Sequence, residues 1–390
     1  MKEVVIVKGL RTPFSKAGTV FKDLSAYELG KIVLRELLEQ LELPPREIDE
    51  VVWGNIGQPV EAGNIARIIA LKSGIPHTTP AYTVQRNCAS GLQAIVSAYY
   101  EIAGGNAEAV IAGGSESMSR YPLPFPRAFT DYSIEMSLAQ TADQLAKEYC
   151  ISREEQDQWA LLSHQRAARA TSAGILKEEI APVFAPPEYA AVVEEDNGIH
   201  KEPSAEELAG LSPLFDSRYG TVTAGNASPL ADGAAALLLM SAGRARELGY
   251  EALGTVRSFA FAGVEPLYMG TGPAYAAAKA LKRAGMKFSD IHLTELGEAF
   301  AAVVLANERL FGDKKFVETT FGQAGLLSPI DRGRLNPNGG AIAIGHAGGA
   351  TAARQVLTLL KEMKRRNFST GLAALCISGG QGGAIILERK

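Results

Sequence analysis

The two ends of this chain repeat one another in the order of their elements, and no other feature limits its fold as closely. In the first half the β-branched run 4–7 reads as a strand, and 27–41 as a helix with Leu29, Ile32, Val33, Leu37 and Leu41 at helical spacing. Pro44-Pro45 break that helix. Residues 48–53 read as a second strand ended by Gly54, and 65–72 as a short helix closed by Gly74 and Pro76. The stretch 84–94, VQRNCASGLQA, reads as the end of a strand, a sharp turn and a helix whose first turn carries Cys88. Leu92, Ile95, Val96, Tyr99, Ile102 and Ala103 recur along that helix, and Gly104-Gly105 stop it. Ala109-Val110-Ile111-Ala112 is then a buried-type strand before Gly113-Gly114.

The second half keeps this order. Residues 255–259 read as a strand, 273–284 as a helix closed by Gly285, and 288–297 mirrors 46–54. Gly345-His346-Ala347 opens a long helix with Ala353, Val356, Leu357, Leu360 and Met363 on one face, and 372–377 is a strand before Gly379-Gly380. His346 therefore lies at the helix start that matches Cys88, and Cys376 in the strand that matches Ile111. Ile48 and Ile291 stand 243 residues apart, and Cys88 and His346 258 apart. A near-constant offset across several elements marks a duplicated fold. Strands alternating with helices make it an α/β fold.

The duplication exposes an insertion. In the second half, residues 379–383 lead at once into a return strand, 384–387; in the first half the matching strand is 233–239, and 116 residues separate Ser115 from Asp232. An excursion of this length has structure of its own. The expected organisation is a first half of residues 1–115 plus 232–250, an inserted lobe 116–231 over the active site, and a second half 251–390. Ser152 with Glu155 forms a capping box that opens a helix running to about Ser172, closed by Gly174. Residues 182–187 and 194–213 read as irregular and exposed.

Composition narrows the function. A net charge of −4 gives no basic surface for nucleic acid or membrane. Three cysteines without ligand-like spacing and five scattered histidines suggest neither a disulfide framework nor a metal site. No apolar run reaches the length of a membrane span. Met1-Lys2-Glu3 leads directly into the first strand, so no targeting segment is visible and a cytoplasmic protein is expected.

A thiol at a helix start sits at the positive end of the helix dipole, which favours the nucleophilic thiolate. By itself the 84–94 stretch leaves a second reading open, a small buried hydrophobe. The duplication argues for chemistry. Cys88, His346 and Cys376 stand at corresponding ends of the two halves, where ligand crevices of open α/β sheets lie. A cysteine beside an imidazole is an activated nucleophile, and a second thiol serves as acid and base. The glycines at 339–340 and 379–380 allow backbone N–H groups to approach a ligand and form oxyanion holes.

NCASGLQA around Cys88, AGGSESMS at 112–119, GTVTAGNASPLADGAA at 220–235, NGGAIAIGHAGGATAAR at 338–354 and CISGGQGGA at 376–384 resemble the thiolase family, in order and over essentially the whole chain. The resemblance implies two βαβαβαββ halves in a five-layer α-β-α-β-α arrangement with an inserted loop domain. It implies an acyl-CoA C-acyltransferase that works through a cysteine acyl-enzyme by ping-pong kinetics. The reaction would be thiolysis of 3-ketoacyl-CoA, condensation of two acetyl-CoA, or both, in fatty acid β-oxidation or acetoacetyl-CoA formation. CoA thioesters are then substrates, and no cofactor or metal is expected. Carried over by motif, Cys88 resembles the acylated nucleophile, His346 the imidazole that activates it and helps bind the thioester oxygen, and Cys376 the second, proton-moving thiol. The N–H groups of Cys88 and Ser378 resemble the second oxyanion hole; His346 with a water resembles the first. Ser228 resembles the serine that meets the pantetheine arm, and Met269, Gly379 and Gly380 resemble residues near the substrate. A homodimer is implied through strands near Cys88, with a tetramer as the variant.

The chain departs from the family pattern at several positions. Gly297 stands where an asparagine commonly holds a water of the first oxyanion hole, so an asparagine introduced there should restore the anchor and speed thiolysis. Ala347 replaces a proline, and Ser212 a basic residue that meets the CoA nucleotide. The segment 120–135 is shorter than the family's tetramer-forming loop, and 307–338 is longer, resembling the trifunctional-enzyme β-subunit type. Two alternatives follow. A thiolase-like, non-catalytic or low-activity subunit of a multienzyme acyl-CoA complex, such as a β-oxidation complex, would tolerate Gly297 and Ser212. A ketoacyl synthase would need a second histidine where Cys376 stands. Cys150, His77, His164, His200 and His292 read as inert or structural. The charged run 361–366 reads as a solvated helix end, and 121–126 as either an acyl tunnel or a linker.

Overall fold

Hydrogen bonding joins the two halves through their first strands. In the computed structural model, which describes residues 2–121 and 129–389, Val4–Arg11 pairs antiparallel with Gly254–Gly263 at Val5 with Thr255 and Ile6 with Gly254. Outward from this seam on one side follow Ala231–Ser241, Ala109–Ser117, Glu50–Gly54 and Ala81–Val84. On the other side follow Gln381–Glu388, Thr370–Ile377 and Leu293–Leu296. A two-residue strand, Ser15–Lys16, pairs with Ala231–Ser241 and completes a ten-stranded sheet. The duplication read from the sequence therefore holds strand for strand from the seam to Glu50–Gly54 and Leu293–Leu296.

It lapses at the next position. Ala81–Val84 lies parallel to Glu50–Gly54, but its counterpart is a single bridge between Leu335 and Thr294. The second half's counterpart of Ala81–Val84 is thus reduced, and Asn336 supplies the reason. Its side chain accepts from the Leu296 N–H at 2.7 Å and donates to the Leu296 carbonyl at 2.9 Å, standing in for a strand partner. The stretch around it carries Gly322, Gly325, Pro329, Gly333 and Pro337, which do not sustain a ladder.

The helices follow their apolar spacing. Ser25 and Glu28 form a capping box at the start of Ala26–Leu41, which buries Leu29, Val33, Leu34, Leu37, Leu38 and Leu41. That helix and Ile65–Lys72 pack with Val51, Trp53, Ile111 and Leu238. Each fully buried leucine contributes roughly 1.5–3 kcal/mol. Gly272–Ala284 and Ala301–Gly312 pack in the same way with Leu296, Ala374 and Ile386 of the second half. Between the halves, Ser90–Gly104 and Gly348–Arg366 share one cluster with strands of both, including Val110, Leu239, Leu375 and Ile385. Gly348–Arg366 is buried nearly all round, which suits a helix enclosed in a core. Its charged end is solvated at Lys364, Arg365 and Arg366, but Glu362 is buried and accepts from Asn338 and Arg366.

The chain leaves the sheet after Ser117 and returns at Ala231. The excursion does more than cover a site. Leu145 of Leu138–Glu148, and Trp159 and Ala160 of the capped helix Arg153–Ser172, enter the core of the second half. The stretches expected to be irregular and exposed also differ. Val183–Phe184 pairs with Val192–Val193. Asp196 is buried and grips Arg11 with two bonds of 2.6 and 2.8 Å, while Glu179 takes the Arg11 Nε at 2.6 Å. A fully buried guanidinium needs such partners, and they come from residues far away in sequence. No helix among the described residues is long and apolar enough to cross a membrane.

Candidate active site

Each of the two inner helices is entered through a tight connection, and the two connections meet. After Ala81–Val84 the chain turns at Asn87, with φ of 43°. Ser90 Oγ accepts from the Arg86 N–H at 2.9 Å and donates to the Asn87 carbonyl at 2.7 Å. The helix begins at Ser90 with Ala89 as its cap. Cys88 therefore precedes the helix instead of lying in its first turn, because the left-handed Asn87 and the Ser90 bonds use those residues for the turn. His346 has the equivalent place: Ala347 caps Gly348–Arg366, and Gly345 at φ of 108° makes the preceding bend. The His346 N–H donates to the Pro229 carbonyl at 2.8 Å, and its carbonyl accepts from Ala231 at 3.1 Å. Both reactive residues stand one position before a cap.

His346 Nε2 lies 3.3 Å from Cys88 Sγ. Its Nδ1 lies 2.8 Å from Thr351 Oγ1. With the Nδ1 proton donated to Thr351, Nε2 is free to accept the thiol proton. The backbone N–H groups of Cys88 and Ser378 favour the thiolate form of the Cys88 sulfur. Asn87 Nδ2 donates to the Ser378 carbonyl at 3.0 Å and fixes that turn. Cys376, 4% exposed near the end of Thr370–Ile377, lines the same cavity as Cys88 and His346.

Two buried carboxylates hold these connections in place. Glu116 accepts from Asn55 Nδ2 and from the N–H groups of Ile56, Gly57 and Gly349, at 2.9–3.0 Å. It thus ties the first half to the start of the His346 helix. Glu298 accepts from Ser163 Oγ at 2.7 Å, Asn336 Nδ2 at 2.8 Å, and Trp159 Nε1 and the Ile342 N–H at 3.2 Å. It pins the inserted lobe to the chain that leads to His346. Burial raises the pKa of both glutamates, and these bonds offset only part of the rise.

Electrostatics overturn one expectation. The N–H groups at the helix start do favour a thiolate, but burial outweighs them and pushes Cys88 up to about 11. Burial, with the nearby Cys88, pushes Cys376 up to about 12. Burial, with Arg354, lowers His346 to about 4. The resting site near neutral pH is a thiol beside a neutral imidazole. A raised thiol pKa favours the unreactive protonated form, so alkylation of Cys88 by iodoacetamide should rise steadily with pH from neutrality and level off only near 11. Rate measurement from pH 6 to 11 checks this; a plateau reached near pH 7 would show a thiolate–imidazolium pair instead.

The cavity holds about 150 Å3 and is mostly apolar, with Ile56, Met118, Leu138, Phe215, Met269 and Phe300 on its walls. Ser228 and Ser378 also face it. The Ser228 hydroxyl donates to the Ala299 carbonyl at 3.1 Å. A second arm of about 190 Å3 shares Cys88 and Ser378 and reaches Gly379, Asn87 and Tyr121. A third, small chamber joins Cys88, His346 and Cys376 to Gly297. Gly380 and the 339–340 pair are packed closely against neighbouring segments. The Gly380 carbonyl accepts from Val264 at 2.7 Å, and the Gly340 N–H donates to Ser163 Oγ at 3.1 Å. Both glycine sites are close backbone packing. Ser212 is exposed. The remaining histidines sit in structural contacts, such as the His200 N–H donating to His164 Nδ1 at 3.2 Å. The reading of 121–126 falls, beyond Tyr121, outside the described residues, as does part of the segment 120–135.

Gly297 corrects another expectation. A Cβ placed there would lie 2.8 Å from Leu375 Cβ and 3.2 Å from Leu375 Cα. An asparagine cannot enter without displacing the strand that carries Cys376, so it would not simply restore a water anchor. Asn87, Glu116, Glu298, Thr351 and Gln355 escaped notice in the sequence. The only signal for the glutamates is a charge inside an apolar run, AGGSES and LTELGEAF.

Residues 4–130 and 123–243 match the family model described as the thiolase N-terminal domain, and 250–389 the thiolase C-terminal domain. The chain is similar to 3-ketoacyl-CoA thiolase of Shewanella pealeana, at 42% identity across 99% of this chain and 97% of that protein. Among solved structures, Bacillus anthracis acetyl-CoA acetyltransferase superposes with a TM-score of 0.91 at 37% identity, covering 100% of this chain and 99% of that one. Human mitochondrial 3-ketoacyl-CoA thiolase in complex with CoA gives 0.89 at 34%, covering 100% and 98%.

Proposed function

The chain belongs to the thiolase family of acyltransferases, and from that premise we propose that it cleaves 3-ketoacyl-CoA with CoA, giving acetyl-CoA and an acyl-CoA shortened by the acetyl unit. The observation that carries this reading is the 3.3 Å approach of His346 Nε2 to Cys88 Sγ, in an apolar cavity that also holds Cys376. Because thiol and imidazole rest neutral, the Cys88 proton passes to Nε2 as sulfur attacks the ketone carbon. The N–H groups of Cys88 and Ser378 receive the oxygen that becomes negative. Each such donor contributes about 3–4 kcal/mol to a transition state of this kind.

Collapse of the adduct breaks the carbon–carbon bond. The acyl group stays on Cys88, and the acetyl-CoA fragment leaves as an enolate whose thioester oxygen faces the imidazolium of His346. Cys376 gives its proton to the carbanion carbon, then takes one from incoming CoA-SH. The CoA thiolate attacks the Cys88 thioester, and the departing Cys88 sulfur recovers its proton from His346, so every group returns to its starting state. Met269 and Ser228 flank the route of the pantetheine arm. The chemistry draws only on these side chains and its CoA thioester substrates.

A homodimer fits the half-exposed edge strand Ala81–Val84, and a cytoplasmic location is part of the same proposal. The test of function is a thiolysis assay, following loss of the ketoacyl thioester on addition of CoA across a ladder of chain lengths. CoA-dependent cleavage with ping-pong kinetics is expected for at least one length. No cleavage at any length, with the protein folded, would sink the proposal.

A further inference from the structure

The small chamber beside Gly297 has a polar wall that nothing in the proposed reaction uses. Its volume is about 10 Å3, the room one water needs. Leu375, Ala299 and Ala341 form apolar sides, and Gly297 contributes no side chain. The strand bearing Leu375 leaves no space for one. Glu298 also borders the chamber, but its carboxylate is committed to Trp159, Ser163, Asn336 and Ile342. The Gly348–Arg366 helix supplies the rest. Thr351 and Gln355, four residues apart, share one helix face. Thr351 orients the His346 ring, and Gln355 lines the chamber one turn further on.

Gln355 is 1% exposed, and among the described residues its Oε1 has no hydrogen-bond partner. A buried amide oxygen left unpaired is costly and uncommon, and a water in the adjoining chamber would satisfy it. We propose that Gln355 is a positioning residue of the carbon–carbon step, holding one water beside His346 and Cys376. The water donates one O–H to Gln355 Oε1 and the other to the thioester oxygen of the acetyl-CoA enolate. His346 Nε2–H is the second donor to that oxygen. Transfer of acetyl from acetyl-CoA to Cys88 forms no enolate, uses the N–H groups of Cys88 and Ser378, and does not involve this water.

The inference rests on the thiolase reading, and the test separates the two. Gln355→Met keeps the length and apolar bulk of the side chain but cannot accept the hydrogen bond as an amide does; Gln355→Glu keeps oxygen acceptors. With acetoacetyl-CoA and CoA, Gln355→Met should lose about 10²-fold in kcat with KM little changed. Transfer of acetyl from acetyl-CoA to Cys88, read by mass spectrometry of quenched samples, should proceed at the parent rate. Gln355→Glu should recover most of the lost kcat. An unchanged kcat in Gln355→Met, an equal fall of both half-reactions, or a Gln355→Glu variant as slow as Gln355→Met would each overturn the proposal. Failure of the thiolase reading would show instead in the parent protein, as absence of both acylation and cleavage.

Discussion

Cys88→Ala should lower thiolysis by about four to six orders of magnitude while leaving the affinity for CoA thioesters close to that of the parent. The size follows from what is removed. Without the sulfur there is no covalent intermediate, and His346, 3.3 Å away in the parent, has no proton to accept. Nucleophile and base act as a unit, so loss of the nucleophile alone removes nearly all the catalysis the pair provides. The N–H groups of Cys88 and Ser378, Glu116 and the apolar walls remain, which is why binding should persist. Cys88→Ser should be almost as poor, since a neutral imidazole with its pKa lowered to about 4 is a weak base for a hydroxyl. The check is twofold: steady-state kinetics of the variant, and mass mapping of the acetylated peptide in the parent after incubation with acetyl-CoA. An adduct on exposed Cys150 or on buried Cys376, or a Cys88→Ala protein with substantial turnover, would refute the assignment.

Cys376→Ser should divide the reaction in two. Acetyl transfer from acetyl-CoA onto Cys88, the reverse of the CoA step, calls on Cys376 only to protonate a departing thiolate, a weak base that leaves without much help, so it should fall far less than the carbon–carbon step. Carbon–carbon cleavage needs a proton delivered to carbon, and it should fall by about 10²–10⁴-fold, the usual contribution of a positioned acid or base. The site of Cys376 sharpens the expectation. Burial and the neighbouring Cys88 hold its thiol up at about 12, so the resting group is protonated and ready to donate. A hydroxyl of still higher pKa donates its proton to carbon more slowly. Rapid-quench measurement of both half-reactions tests this. Equal loss of the two would make Cys376 a packing residue whose removal disturbs the strand beside Gly297 and Leu375.

These expectations divide by origin. Helices, strands and their stops were legible in the sequence because they depend on neighbours in the chain. Leucines recur every three or four residues in Ala26–Leu41, Ser152 caps a helix three residues before Glu155, and Gly285 ends one at a positive φ. The duplication was legible too, since two halves built alike place matching residues at matching offsets. It singles out Cys88, His346 and Cys376, and the motifs around them carry the family.

The rest depends on contacts between segments remote in sequence. Helix-start spacing suggested a thiolate at Cys88, but burial by both halves and the lobe raises its pKa, a property of the enclosure and not of the motif. Glu298 finds its partners on the inserted lobe and at Asn336 and Ile342. Asp196 reaches Arg11 across 185 residues. The Asn336 side chain stands where the first half has the strand Ala81–Val84. Glycine at 297 reads as vacant room in the sequence, and only the Cβ and Cα of Leu375 close it. A pattern of residue types records which groups are available and which face of an element is apolar. Distances, protonation and the filling of a one-water chamber arise when separate elements are pressed together, and they were decided there.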